Sequence, residues 1–299
     1  MTTTSIAPPA APYQPAIGTG IARPAPAGPL ARASITLRGI RDGLRDGLPK
    51  MADRRSRLRW ATDVLRYRLL RLTDLGLDAE RTIRLRSGET ITYRLNRGDI
   101  LAVQETFLND AYAFEAVTHA ETIADLGANI GLTGVWLARR HGARRVVGVE
   151  ANPANAALAR RNYAQNGVNG IVLDAAIADR DGTAFFSDEK VATTGRLAAT
   201  GRPVRTVSFD TVLAELGAER VDLVKLDIEG GEGALLAGDP GWTAAVGAIV
   251  AELHPDDADI SAVVATLRRA GFTYEAVDTH PPYGPHGTEF MAVFMRKDA

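Results

Sequence analysis

The run from Glu121 to Glu150 constrains this chain more than any other part of it. An apolar strand pattern, Thr122-Ile123-Ala124, leads into Asp125-x-Gly127-x-Asn129-x-Gly131. A helical stretch follows, then a second apolar run, Val146-Val147-Gly148-Val149, which closes on Glu150. Strand, glycine turn, helix, strand and acidic tip make the front half of a nucleotide-binding βαβ unit. A turn that holds a pyrophosphate shows G-x-G-x-x-G and keeps competing anions away from the helix N-terminus. Here Asp125 stands in the turn, and Leu132 stands where a third glycine is expected. A carboxylate there repels phosphate but suits a ligand that carries an amino group and no phosphate. S-adenosylmethionine (SAM), an adenosine joined to a sulfonium and an amino acid, is such a ligand.

The 299 residues, 45% of them hydrophobic, allow one large domain or two smaller ones. The absence of cysteine excludes disulfides, thiolate metal sites and a cysteine nucleophile, and is compatible with the cytoplasm. The formal net charge of −1 hides an asymmetry. Residues 1–72 carry 13 Lys/Arg against 4 Asp/Glu, a surplus of nine positive charges, and the remainder carries 22 against 32. A basic head on an acidic body can contact nucleic acid or a membrane surface. The plainer reading is an arginine-rich helical segment that solvates itself or lies on the acidic domain, and no nucleic-acid partner is expected. No stretch approaches the ~20 apolar residues of a membrane span. The N-terminus lacks the charged-then-apolar pattern of a secretory signal, so the expected location is cytoplasmic.

Composition divides the chain into an Ala/Pro-rich tail at 1–30, expected to be disordered, an extension at 31–98, and a main α/β domain at 99–299. In the extension, Gly39, Gly43 and Gly47 recur every four residues and would share one face of a weak helix. Residues 52–75 make a better helix, with Leu58, Val64, Leu65, Leu69 and Leu72 near one stripe. This segment is expected to pack on the main domain or on a second subunit, making a homo-oligomer. Residues 81–95 alternate as two strands around Ser87-Gly88-Glu89, a hairpin signal, and 99–118 reads as helical. From Glu121 onward the rhythm is βα repeats, the signature of a doubly wound, mostly parallel sheet covered by helices. Strands are expected at 122–126, 145–150, 170–174, 221–227 and 247–253. A final pair, 272–278 and 289–296, has no helix between its strands and should be antiparallel. That makes seven strands, the last one antiparallel.

Ligands of open α/β sheets sit at the carboxyl ends of the strands. Asp125 is placed to meet an amino group, Gly127 and Gly131 to give the turn its shape, and Asn129 either to cap the helix or to bond the ligand. Glu150 can accept from two ribose hydroxyls, as in dinucleotide enzymes. Asn152, before a favourable Pro153, can reach the adenosine. Asp174 and Ala175 end the third strand where an adenine edge would lie; a surface-turn aspartate is the alternative. Asp227 and Glu229 form a carboxylate rim after the fourth strand, suited to base, metal or amine-binding chemistry. Glu232 reads as helix N-terminal charge. Glu252 and His254 share one side of the fifth strand. His254 is a candidate base, and with Asp227 and Glu252 it could hold a divalent cation. The loop 279–287, with His280 and His286, is a candidate acceptor lid.

These residues resemble the FkbM family of SAM-dependent methyltransferases. The matching pieces are the 125–131 turn, Val149-Glu150-Ala151-Asn152-Pro153, Ala175 to Asp179 with Asp181-Gly182, Thr206 to Asp210, Val224 to Glu232 and Glu252-Leu253-His254. The resemblance spans roughly residues 98–297, and residues 1–75 take no part in it. It implies a Rossmann-like class I methyltransferase fold, SAM as cofactor, and methyl transfer to a hydroxyl of a natural product, sugar or glycoconjugate. Related sugar O-methyltransferases hold magnesium with carboxylates after the fourth and fifth strands, where Asp227 and Glu252 stand. Those enzymes pair acidic residues after the fifth strand, whereas this chain has Leu253-His254. The alternatives are N-methylation and a non-catalytic SAM-binding scaffold.

Overall fold

The glycine spacing near the N-terminus turns out to be a helix-packing device. In the computed structural model, which describes residues 29–69, 78–187, 196–198, 200–229, 231–237, 240–254, 258–277 and 290–296, helix α1 (Pro29–Gly47) packs against α2 (Arg54–Leu69). Gly43 and Gly47 lie at the closest approach. A Cβ on Gly43 would come within 3.2 Å of Val64 Cγ1, and one on Gly47 would overlap the Trp60 indole. Trp60 Nε1 donates to Gly43 O at 2.9 Å, so the bare backbone accepts the bond that the buried ring needs. The buried ridge of α2 is therefore Ser56, Trp60, Val64 and Tyr67. This corrects the expected leucine stripe: Leu58 is 68% exposed and Leu65 39%. Gly47→Ala should cost about 1–3 kcal/mol, the usual penalty of overpacking, measurable as a lowered urea midpoint. The tail 1–28, and with it the expectation of disorder there, lies outside the described residues, as does Leu72.

The hairpin forms as expected. Strands β1 (Glu80–Arg84) and β2 (Thr90–Arg94) pair antiparallel around the Ser-Gly-Glu turn and bury Ile83, Ile91 and Tyr93. The helix expected over 99–118 is shorter. Helix α3 (Arg97–Val103), capped by Asn96, runs into a π-turn at Gln104–Leu108 and stops. Asp110 takes a positive φ of 51°, which ends helical geometry. Lys50 Nζ donates to Phe107 O at 2.8 Å and Leu108 O at 3.2 Å, satisfying carbonyls at the end of the π-turn. The aromatic residues Phe107, Tyr112 and Phe114 are nevertheless buried.

The main sheet follows the expected rhythm. Its strands are β3 (Thr122–Leu126), β4 (Arg145–Glu150) and β5 (Gly170–Asp174), then, after an intervening segment, β10 (Val221–Leu226), β11 (Val246–Leu253), β12 (Phe272–Val277) and β13 (Phe290–Arg296). Helices α4 (Leu132–His141), α5 (Pro153–Gln165), α6 (Phe209–Leu216), α7 (Glu232–Ala237) and α8 (Ile260–Arg269) connect them. The spatial order is β12-β13-β11-β10-β3-β4-β5, parallel except for β13, which is antiparallel to both its neighbours. The strands carry long apolar runs because both faces are covered. Strand order reverses between β3 and β10, whose register sets Asp125 beside Lys225. The carboxyl ends of these two strands are where a ligand crevice opens.

The segment between β5 and α6 forms a second sheet that the sequence reading did not anticipate. It holds β6 (Ala176–Ile177), β7 (Gly182–Ser187), β8 (Arg196–Ala198) and β9 (Arg202–Val207), in the order β6-β9-β7-β8. Its short strands bury few residues, Val204, Thr206 and Phe186 among them, so their alternation is weak. No helix among the described residues is long and apolar enough to cross a membrane.

Candidate functional site

The glycine turn after β3 is held from three sides. Gly127 (φ 77°) and Gly131 (φ 80°) occupy the left-handed region that only glycine adopts freely. A Cβ on Gly127 would overlap the backbone carbonyl of Asp227. The N–H groups of Gly127 and Ala128 both donate to Val149 O at 3.0 Å. Asn129 also has a positive φ, 48°, and its N–H donates to Glu150 Oε2 at 2.8 Å. The N-cap of α4 is Gly131 and it supplies no side-chain cap, so Asn129 is not the helix cap that one sequence alternative made it. Its Oδ1 is buried and has no hydrogen-bond partner among the described residues.

Glu150 ends β4 with 8% exposure. Its Oε1 accepts from Asn152 N–H and its Oε2 from Asn129 N–H, both at 2.8 Å. Burial raises its pKa, and the two N–H bonds work against that rise. Each oxygen keeps acceptor capacity beyond its one backbone bond, as a partner of a diol requires. Other residues expected to line the cofactor pocket have partners within the protein. Asn152 Oδ1 caps α5, accepting from Ala154 N–H at 2.9 Å. Asp174 lies in an ion pair with Arg160 at 2.7 Å and is half exposed, the surface arrangement that the sequence left as its alternative. Ala175 is fully buried, its N–H bonded to Glu150 O.

Asp125 is completely buried beneath the turn, where Tyr163 donates to its Oδ2 at 3.3 Å. Burial raises its pKa, and Lys225 opposes the rise. Lys225, a buried cation in β10, is the group that sequence reasoning passed over. Its Nζ donates to Gly127 O at 2.6 Å and stands 3.1 Å from Asp227 Oδ2 and 3.6 Å from Asp125 Oδ1. One ammonium thus ties the glycine turn to the rim carboxylate. The signal for it was present: a lone lysine two residues before Asp227, pointing the same way on a β-strand.

The second half of the site follows β10 and β11. His254 Nδ1 lies 3.0 Å from Oε1 of the fully buried Glu232, and its Nε2 lies 3.8 Å from Glu229 Oε2. Burial pulls the His254 pKa down, but the Glu232 bond and charge, with Asp227 and Glu252, push it up to about 10. Glu229 sits at a positive φ of 55°. Burial and the nearby Asp227 charge raise its pKa to about 9, with His254 opposing. Burial and Asp227 likewise hold Glu252 well above the usual carboxylate range. Glu232 is therefore more than helix N-terminal charge, since it orients the imidazole. The expected trio of Asp227, Glu252 and His254 is not the cluster that forms among the described residues. Among the described residues, the set of three possible ligands within 4.8 Å of one another is Asp227, Glu229 and His254. Two of these are already engaged, Asp227 by Lys225 and His254 by Glu232, so the residues present do not fit the magnesium arrangement. The loop 279–287, with His280 and His286, lies outside the described residues.

Strand order, a glycine turn at the switch point and an acidic tip on the next strand are together the arrangement of a class I methyltransferase. The model of the "Methyltransferase FkbM domain" matches residues 125–274, and the chain belongs to that methyltransferase family. A curated relative, "31-O-demethyl-FK506 methyltransferase FkbM" of Streptomyces tacrolimicus, is 29% identical over 262 residues, covering 74% of this chain and 99% of the relative. Solved structures matched by the chain include a putative SAM-dependent methyltransferase from Streptococcus mutans (13% identity, TM-score 0.45, 79% of this chain and 64% of that one). Another is M. jannaschii TYW2 in complex with AdoMet (14% identity, TM-score 0.40, 74% and 88%).

Proposed function

We propose that this methyltransferase uses SAM to methylate a hydroxyl oxygen of a small molecule. The observation that carries the reading is the oriented pair Glu232–His254, which faces Asp227 across the rim from the Glu150-braced glycine turn. Bound in that turn, SAM supplies an electrophilic methyl group. Glu150 is set to accept from the ribose hydroxyls, and Gly127 and Gly131 leave room for close backbone approach. The orphaned Oδ1 of Asn129 is an acceptor for the amino-acid end, with the Asp125 carboxylate beneath the turn. An acceptor hydroxyl at the rim must lose its proton. His254, with Nδ1 held by Glu232, has Nε2 on the rim side, and Asp227 is the other group in position to take the proton. Much of the acceleration would come from holding two reactants in line. Oxygen as the acceptor atom also agrees with the name of the curated relative.

The test is calorimetry with SAM. Wild type should bind, whereas Asp125→Ala and Glu150→Ala should each lose ten-fold or more in affinity. Absence of heat with SAM, or heat with NAD instead, would overturn the reading. Labelled SAM incubated with the protein and a metabolite extract should then yield a product whose added mass sits on oxygen. A methyl on nitrogen would decide for the N-methyltransferase alternative, and SAM binding without any transfer would decide for the scaffold.

A further inference from the structure

The outer edge of β2 is an open strand edge, and two-stranded hairpins are marginal when they stand alone. Here α5 closes that edge with side-chain amides. Asn166 Oδ1 accepts from Thr90 N–H at 2.8 Å, and its Nδ2 donates to Thr90 O at 2.8 Å. One turn earlier, Asn162 does the same for Thr92: Oδ1 accepts from Thr92 N–H at 2.9 Å, and Nδ2 donates to Thr92 O at 2.9 Å. Gln165 braces both, donating to Thr90 O at 2.8 Å and to Asn162 Oδ1 at 2.6 Å. The two asparagines thus behave as a surrogate strand for the hairpin.

They differ at the cofactor turn. Asn162 Nδ2 also donates to Ile130 O at 2.7 Å, and Asn162 is fully buried. Ile130 lies between Asn129 and Gly131, two residues at positive φ. A carbonyl fixed there limits how the whole turn can rotate. We infer that Asn162 is a positioning residue for the cofactor turn, and that through it the N-terminal hairpin, remote from the reacting atoms, braces the SAM site. The inference rests on the SAM reading above for its ligand, but not for its geometry.

Asn162 and Asn166 make a matched pair for the test. Asn162→Ala and Asn166→Ala both strip a hairpin clamp, so both should lower the thermal midpoint. Only Asn162→Ala removes the bond to Ile130 O. It should weaken SAM binding by ten-fold or more in calorimetry, with Asn166→Ala within two-fold of wild type. Hydrogen exchange of the free protein gives a second readout: amides 127–132 should exchange faster in Asn162→Ala and at the wild-type rate in Asn166→Ala. Asn162→Asp keeps the acceptor arm and loses the donor arm, and should track Asn162→Ala; it also serves if the alanine variant fails to fold. Equal loss of affinity in the Asn162 and Asn166 variants would overturn the inference, since hairpin docking alone would then explain it. Unchanged exchange at 127–132 in Asn162→Ala would overturn it as well. If wild type shows no heat with SAM, the cofactor reading fails while the exchange comparison still decides the role of Asn162.

Discussion

Replacing Lys225 by methionine is expected to destabilise the protein by about 3–5 kcal/mol, the usual cost of breaking a buried ion pair by removing one partner. The ammonium is almost wholly buried and has three oxygen neighbours: Gly127 O, Asp227 Oδ2 and Asp125 Oδ1. Burial alone would lower its pKa, yet Asp227 and Asp125 more than reverse that and hold it above the ordinary lysine value of 10.5. With a raised folded-state pKa, its contribution is complete below about pH 10.5 and is lost only above that, so buffers near neutrality should all show the full effect. Methionine fills similar space but leaves two carboxylates in a poorly solvated site and releases the Gly127 carbonyl. Denaturant unfolding would read the loss, and adding Asp125→Asn should recover part of it. A Lys225→Met protein as stable as wild type would mean that the carboxylates find another partner, and the link between turn and rim would be wrong. The same variant should lose SAM affinity even where it remains folded.

The other large effect is expected at His254. His254→Gln should lower kcat by about 10²–10⁴-fold, the usual contribution of a positioned general base. With its pKa pushed up to about 10, the imidazole of the free enzyme is protonated at neutral pH. A base must be deprotonated to act, so kcat/KM should climb with pH from neutrality and level off near pH 10. Glu232→Gln removes the strongest influence raising that pKa, so the rising limb should move to lower pH. A limb unmoved by Glu232→Gln, or His254→Gln turnover near wild type, would shift the base assignment to Asp227. Stability follows the same group with a definite sign. A folded pKa raised above 6.5 adds stability that is complete below pH 6.5 and is lost as pH rises toward 10. Glu229, raised to about 9, drives the change in the same direction, since its neutral form is the one the fold favours. The urea midpoint should therefore fall between pH 6.5 and 10, and Glu232→Gln should flatten that fall.

The parallel sheet with its antiparallel last strand and the hairpin were legible from period and turn chemistry, which are local, while the FkbM family entered through motif resemblance. Residues that end strands at the switch point could be named because strand ends follow from the same periodicity. Features set by encounters across the fold could not be read this way. Leu58 and Leu65 look like core residues on a helical wheel, but Trp60 and Tyr67 take the buried side because the bare backbone of Gly43 and Gly47 admits the bulky indole. The helix expected through 99–118 stops at a π-turn whose last carbonyls are satisfied by Lys50, more than 50 residues earlier. That Asp174 pairs with Arg160 of α5 is likewise a meeting across the fold that strand periodicity does not show.

Sequence by itself therefore determined the βα rhythm, the acidic glycine turn and the set of carboxylates around it, since each depends on neighbouring residues and on spacing. Only the tertiary structure decided which of those carboxylates has which partner. Lys225 tying Asp227 to the turn, Glu232 orienting His254, and Asn162 joining the hairpin to Ile130 are hydrogen bonds between segments 22 to 98 residues apart. Charge and hydrogen bonding act over a few ångströms in space, and no spacing along the chain reports which distant groups the packing of sheet and helices will bring within that range.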